Sequence, residues 1–122
     1  MKHIVLCLTR KPGMTSVEFR NHYETSHAPM AIKHMGHLMK GYKRFYPQYR
    51  TPTIAENEQG IDKAPVFYDA IAVISVADQD AIEEFWRIAM SPGIAEEFAA
   101  DEDKFIDRDK LLIHVSDMDF TF

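Results

Sequence analysis

The sequence predicts an α+β domain built on one four-stranded antiparallel sheet, with two such sheets pairing face to face in a homodimer. Three observations lead there. The chain has 122 residues, 46% of them apolar, which is enough for one modest core and too few for two ordinary domains; residues 1–122 therefore read as one unit. Strand-like and helix-like stretches follow one another in the order β, α, β, β, α, β. The strand-like stretches carry apolar residues on both alternating faces, more than a single layer of helices can cover.

Residues 3–9, HIVLCLT, form an apolar run closed by Arg10-Lys11-Pro12-Gly13, a buried strand and its turn. Thr15 with Glu18 three residues on is a capping box, in which each side chain takes the other residue's free backbone N–H, so a helix starts there. Phe19, Tyr23 and His27 recur every four residues and share one face. Pro29 lacks an N–H and should kink or restart the helix near Ala28, with a second piece running to about Gly36. Residues 41–49, GYKRFYPQY, are aromatic and alternating, a second strand with Pro47 at an edge or a bulge. Residues 50–65 are polar and rich in turn formers, a long loop that is either a lid or disordered. Residues 67–76, FYDAIAVISV, give the third strand, and Asp78 or Asp80 caps a helix running to Met90. Ser91-Pro92 starts another helical stretch as N-cap and first-turn proline, and residues 111–118, LLIHVSDM, give the fourth strand. This order is the split βαβ of ferredoxin-like folds, whose right-handed crossovers put the helices on one side of the sheet.

Strand parity then divides each strand into two sets. Ile4, Leu6, Leu8, Ala70, Ala72, Ile74, Val76, Leu111, Ile113 and Val115 are uniformly apolar and belong under the helices. The other set holds His3, Val5, Cys7, Asp69, Ile71, Val73, Leu112 and His114, an apolar surface interrupted by single polar groups, as a ligand pocket would be. On the second strand Tyr42, Arg44, Tyr46 and Gln48 are assigned to this pocket set. So apolar a face on the side away from the helices calls for a second copy as its cover.

The net charge of −5 and scattered basic residues offer no field for a phosphate backbone, so nucleic acid is not an expected partner. A lone cysteine, Cys7, rules out an internal disulfide. The N-terminal apolar run is too short for a secretory segment, and no stretch reaches the roughly 20 apolar residues of a membrane span. A cytoplasmic protein without a membrane partner is the expectation.

The segment LTRKPGMTSVEFRNHYETSHAPM, followed by GYKRFYPQ, resembles the EthD domain, a branch of the dimeric α/β barrel superfamily, and SPGIAEEFAADEDKFID is similar to that family's second signature. The resemblance covers both ends and leaves the loop between them unmatched. It implies a ferredoxin-like fold, a dimer and a hydrophobic pocket for small, often aromatic or polyketide-like molecules, with no fixed reaction. Related barrels include decarboxylases, dehydratases, cyclases, isomerases and monooxygenases. His27 stands at the histidine of the family's His-Ala-Pro motif.

An imidazole exchanges protons near neutral pH, which suits His27 to decarboxylation, dehydration or enolisation; alternatively it serves only to bond a carbonyl freed by Pro29. Asp69 and His114 are candidates for a carboxylate–imidazole pair, or each faces solvent at the sheet edge. His3, Tyr23, Arg44, Tyr46 and Trp86 complete the expected substrate-binding set, although Trp86 with Phe85 also reads as ordinary packing. His34 with His37, and His22 with His27, are spaced loosely like ligands but match no zinc pattern, and no Gly-rich phosphate loop is present, so neither metal nor cofactor is expected. Asp101-Glu102-Asp103 reads as a solvated helix end. The leading functional expectation is a cofactor-independent lyase or isomerase acting by histidine acid/base catalysis on a small aromatic or polyketide-like carbonyl compound. The alternatives are a non-catalytic barrel that binds a hydrophobic ligand or serves in stress response, and a cofactor-free or haem-dependent monooxygenase.

Overall fold

The computed structural model describes residues 1–121. Strands β1 (Lys2–Leu8), β2 (Met39–Phe45), β3 (Ala70–Val76) and β4 (Leu112–Ser116) form one antiparallel sheet in the order β2-β3-β1-β4. The connections from β1 to β2 and from β3 to β4 each step over a strand, so both carry their helices across the same face. Those helices are α1 (Ser16–His22) and α2 (Ala28–Met35) in the first crossover, and α4 (Gln79–Ala89) and α5 (Ile94–Phe105) in the second; a short α3 (Ile54–Glu58) lies between β2 and β3. The α+β, ferredoxin-like expectation holds. The core sits where parity placed it on the two central strands: Ile4, Leu8, Ala70, Ala72, Ile74 and Val76 are buried beneath Phe19, Tyr23, Met35, Phe85 and Phe105.

The first crossover helix shows how Pro29 is accommodated. Thr15 and Glu18 form the reciprocal capping box at its start. In a regular helix the ring of Pro29 would strike the carbonyl of Thr25. The chain instead widens into a π turn over Tyr23–His27, with Ala28 donating its N–H to the Tyr23 carbonyl, and α2 restarts at Ala28 with the proline in its first turn. The extra residue in this turn keeps Tyr23 and His27 on the inner side, rings edge to face with centroids 5.6 Å apart.

Elsewhere the expected elements shift. The second strand begins at Met39 and ends at Phe45, leaving Tyr46 to Tyr49 and Pro47 outside it, and the register irregularity falls between Met39 and Gly41. Tyr42 consequently pairs with Ile74, which pairs with Ile4, so Tyr42 stands in the row under the helices and not on the opposite face. Residues Phe67 to Asp69 precede β3. Gly93, at φ +89°, caps α5 in place of Ser91, and Ser91 donates its hydroxyl to the Ile88 carbonyl at the end of α4. Residues 50–65 are not shapeless: α3 has its own capping box at Thr53, Arg50 and Ala64 pair through their backbones, and Arg50 binds Glu56 through two bonds of 2.8 and 2.9 Å. Ile113 and Val115, assigned to the core, remain 43% and 49% exposed because β4 is an edge strand that the helices only partly cover.

Candidate active site

Between the sheet and the layer of α2, α4 and α5 lies an apolar cavity of about 530 Å³. Its walls include Leu6, Ile74, Phe85, Trp86, Phe98 and Ile113, and its polar groups come from Tyr23, His27, Tyr42, Glu96, Glu102 and Arg108. The cavity is thus on the helix side, opposite the face to which the pocket was assigned. Of the expected residues it gathers His27, Tyr23 and Trp86.

His27 is held by a residue that sequence reasoning left in solvent. Asp101 is 4% exposed, and its carboxylate accepts from His27 Nδ1 at 2.9 Å, His22 Nε2 at 3.0 Å and Ser26 Oγ at 2.7 Å. Burial alone would raise the Asp101 carboxyl, but the bonds from Ser26, His27 and His22 outweigh it and hold it below the ordinary aspartate value. An ionised carboxylate only accepts, so His27 carries its proton on Nδ1 and leaves Nε2 as a lone pair. Burial lowers the pKa of His27 in spite of the Asp101 charge, so the imidazole is neutral at pH 7, the form a general base requires. Phe98 and Phe105 pack against the ring, fixing its orientation.

Two phenols face the same space. Tyr23 and Tyr42 share a hydrogen bond of 2.8 Å between their hydroxyl oxygens. Burial raises both, Tyr42 to about 12, so both remain protonated donors through neutral pH. Arg44 and Tyr46 support this wall from behind: Arg44 binds Glu24 through bonds of 2.6 and 2.8 Å, Tyr46 donates to the same carboxylate, and the Tyr46 ring stands edge-on to Tyr23.

The remaining candidates lie apart from the cavity. His3 faces the other side of the sheet, its Nδ1 2.7 Å from Ser75 Oγ. Asp69 accepts the Arg10 N–H at 2.9 Å and sits near its guanidinium. His114 is exposed in the row of Val5 and Val73. Asp69, just ahead of β3, lies four residues from Val73 of that row, about 13 Å at ~3.3 Å per residue, so the two do not pair. Asp101 had a signal of its own: Phe98, Asp101 and Phe105 follow the i, i+3, i+7 spacing of a buried helix face. Among the described residues no group of three potential ligands is arranged to hold a metal ion, and no helix is long and apolar enough to cross a membrane.

Comparison with known proteins agrees with this architecture. An EthD family protein of Bacillus halodurans is similar at a TM-score of 0.62 and 14% identity, over 97% of this chain and 99% of that one. An EthD-like protein of Ralstonia eutropha gives 0.65 and 12%, over 94% and 88%. A protein of Arabidopsis thaliana gives 0.63 and 17%, over 100% and 99%. At such identities the likeness shows a shared fold. No curated protein matches the sequence. The model of the EthD domain matches residues 11–109, a stretch that spans the Pro-Gly-Met turn, the His27 motif and the Asp101 helix, and the chain therefore belongs to the EthD domain family.

Proposed function

We propose that the cavity binds a small aromatic or polyketide-like carbonyl compound and that His27, oriented by Asp101, is the general acid/base of a cofactor-independent lyase or isomerase. The observation that carries this reading is the buried Asp101–His27 pair opening on an apolar cavity. The geometry supports proton removal next to a carbonyl. Nε2 takes the proton, Asp101 stabilises the imidazolium that results, and the Tyr23–Tyr42 pair, in which one hydroxyl donates to the other, leaves one O–H as the donor available to a developing enolate oxygen. Shape and polarity select a ligand that fills the apolar space and brings one oxygen to the tyrosines.

The open sheet face supports a homodimer. Its rows are Phe45, Ile71, Cys7 and Leu112, then Lys43, Val73, Val5 and His114, then Gly41, Ser75, His3 and Ser116, a surface apolar over the first row and the middle of the second and polar at the third, with no helix over it. Pairing of two such faces would remove it from water.

The test is turnover and binding by the wild type and His27→Ala with neutral aromatic β-hydroxy ketones and hydroxylated polyketide mimics, chelator present. Loss of turnover with binding kept supports acid/base catalysis at His27. Tight binding with no turnover in either protein would establish instead a ligand-holding barrel, a reading that the mainly apolar lining also suits.

A further inference from the structure

The cavity holds a second ionisable group that this mechanism has not used. Glu102 lines it beside Arg108, whose Nε lies 3.3 Å from Glu102 Oε2. It directly follows Asp101 on α5, and successive side chains on a helix diverge by about 100°, so one residue reaches back to hold His27 while the next faces the cavity. Among the described lining residues Arg108 is the one cation, set against Glu96 and Glu102, and the Asp103 carboxylate 3.4 Å away pairs with it even when Glu102 is protonated. A substrate bearing its own carboxylate would find no free cation here. The lining favours a neutral ligand.

We propose that Glu102 is the general acid complementing His27, and that the cavity serves the loss of water from a neutral, hydrophobic β-hydroxy carbonyl compound. This rests on the reading of His27 as the base. Hydroxide is a poor leaving group and needs a proton as it departs, whereas carbon dioxide does not. His27 Nε2 takes the proton from the carbon next to the carbonyl, and the C–H electron pair becomes the new C=C bond. The C–O bond breaks, and its electron pair leaves with the hydroxyl oxygen, which takes the Glu102 proton and departs as water. Nothing is oxidised or reduced. The proton left on His27 returns to Glu102 through water, closing the cycle. Two groups in one cavity are driven apart as this division of labour requires. Burial lowers His27 toward the neutral base, and burial, aided by the neighbouring Asp101 and Asp103 carboxylates against the opposing pull of Arg108, raises Glu102 toward the protonated acid.

The probe is the aldol adduct of benzaldehyde and acetone, incubated with protein in deuterium oxide. Deuterium entry beside the carbonyl reports on His27, and absorbance of the conjugated enone reports on dehydration. Wild type is expected to do both, His27→Ala neither. Glu102→Gln is expected to keep deuterium exchange while enone formation falls ~100-fold or more. Enone formation by Glu102→Gln within a few-fold of wild type overturns the role of Glu102 and leaves His27 standing; undiminished exchange in His27→Ala overturns the base assignment instead. A wild type that exchanges deuterium and forms no enone overturns the dehydration step. Independently of any substrate, carbon NMR of labelled glutamates, with Glu102 identified by its absence in Glu102→Gln, should show it titrating above the ordinary glutamate value of about 4.3; titration at or below that value overturns the proposal.

Discussion

Replacing Asp101 with Asn removes the charge that three side chains converge on while keeping the shape of the residue. An amide has one acceptor oxygen, and its NH₂ group faces donors, so at least one bond from His22, Ser26 or His27 is lost and the others lose their charge assistance. Hydrogen bonds to a charged group contribute about 1.5–3 kcal/mol each and neutral ones about 0.5–1.5. Relief of burying the Asp101 charge offsets part of the loss, and a net cost of about 2–4 kcal/mol is expected. With an unfolding entropy of about 2.1 cal/mol/K per residue over 122 residues, that corresponds to a fall in Tm of about 8–16 °C. Thermal unfolding followed by circular dichroism gives the shift, and long-range proton–nitrogen NMR of the histidines gives the tautomer. His27 should lose its fixed Nδ1 proton in the variant. A Tm within about 2 °C of wild type together with an unchanged His27 tautomer would refute the reasoning.

Val73→Glu, placing a charge in the middle of the open sheet face, should convert the expected dimer to a monomer in light scattering, and a wild type already monomeric at micromolar concentration would contradict the proposed pairing. Ala99→Trp should fill the cavity, weakening the binding of an apolar fluorescent probe by about tenfold or more at an overpacking cost of about 1–3 kcal/mol; undiminished binding would place the ligand site elsewhere. Burial lowers His27, so below the ordinary histidine value of about 6.5 the unfolded chain takes up a proton that the folded one refuses. Stability conferred by neutral His27 is therefore present above that value and falls as pH drops from it toward the lowered native pKa. In denaturant unfolding His27→Gln should flatten this part of the pH dependence; an equal slope in both proteins would argue against a neutral His27.

The fold was legible because its determinants are local. Thr15 and Glu18 mark a helix start, short apolar runs mark β1 and β3, and the order of elements leaves one plausible topology. Parity could sort residues into two sets within a strand, but it could not say which set of β2 faces the helices. That depends on the irregularity between Met39 and Gly41, which nothing local announces, and so Tyr42, Arg44 and Tyr46 were assigned to the wrong face. His27 was visible from the Phe19, Tyr23, His27 spacing and the adjacent Pro29. Its partner was not, because Asp101 lies in an acidic run that composition alone reads as solvated, and only the Phe98 and Phe105 spacing hints at burial. The cavity itself is a tertiary property. It is lined together by residues of β1, α2, α4, α5 and β4, a conjunction no single stretch of sequence encodes.

The most direct test of the central claim is the long-range proton–nitrogen spectrum of histidine-labelled protein before and after adding a neutral aromatic ketone. The account predicts His27 with Nδ1 protonated and Nε2 bare, and a ligand-induced shift at Nε2 of His27 with His3 and His114 unmoved. A protonated Nε2, or shifts confined to His3 and His114 on the opposite face of the sheet, would contradict it.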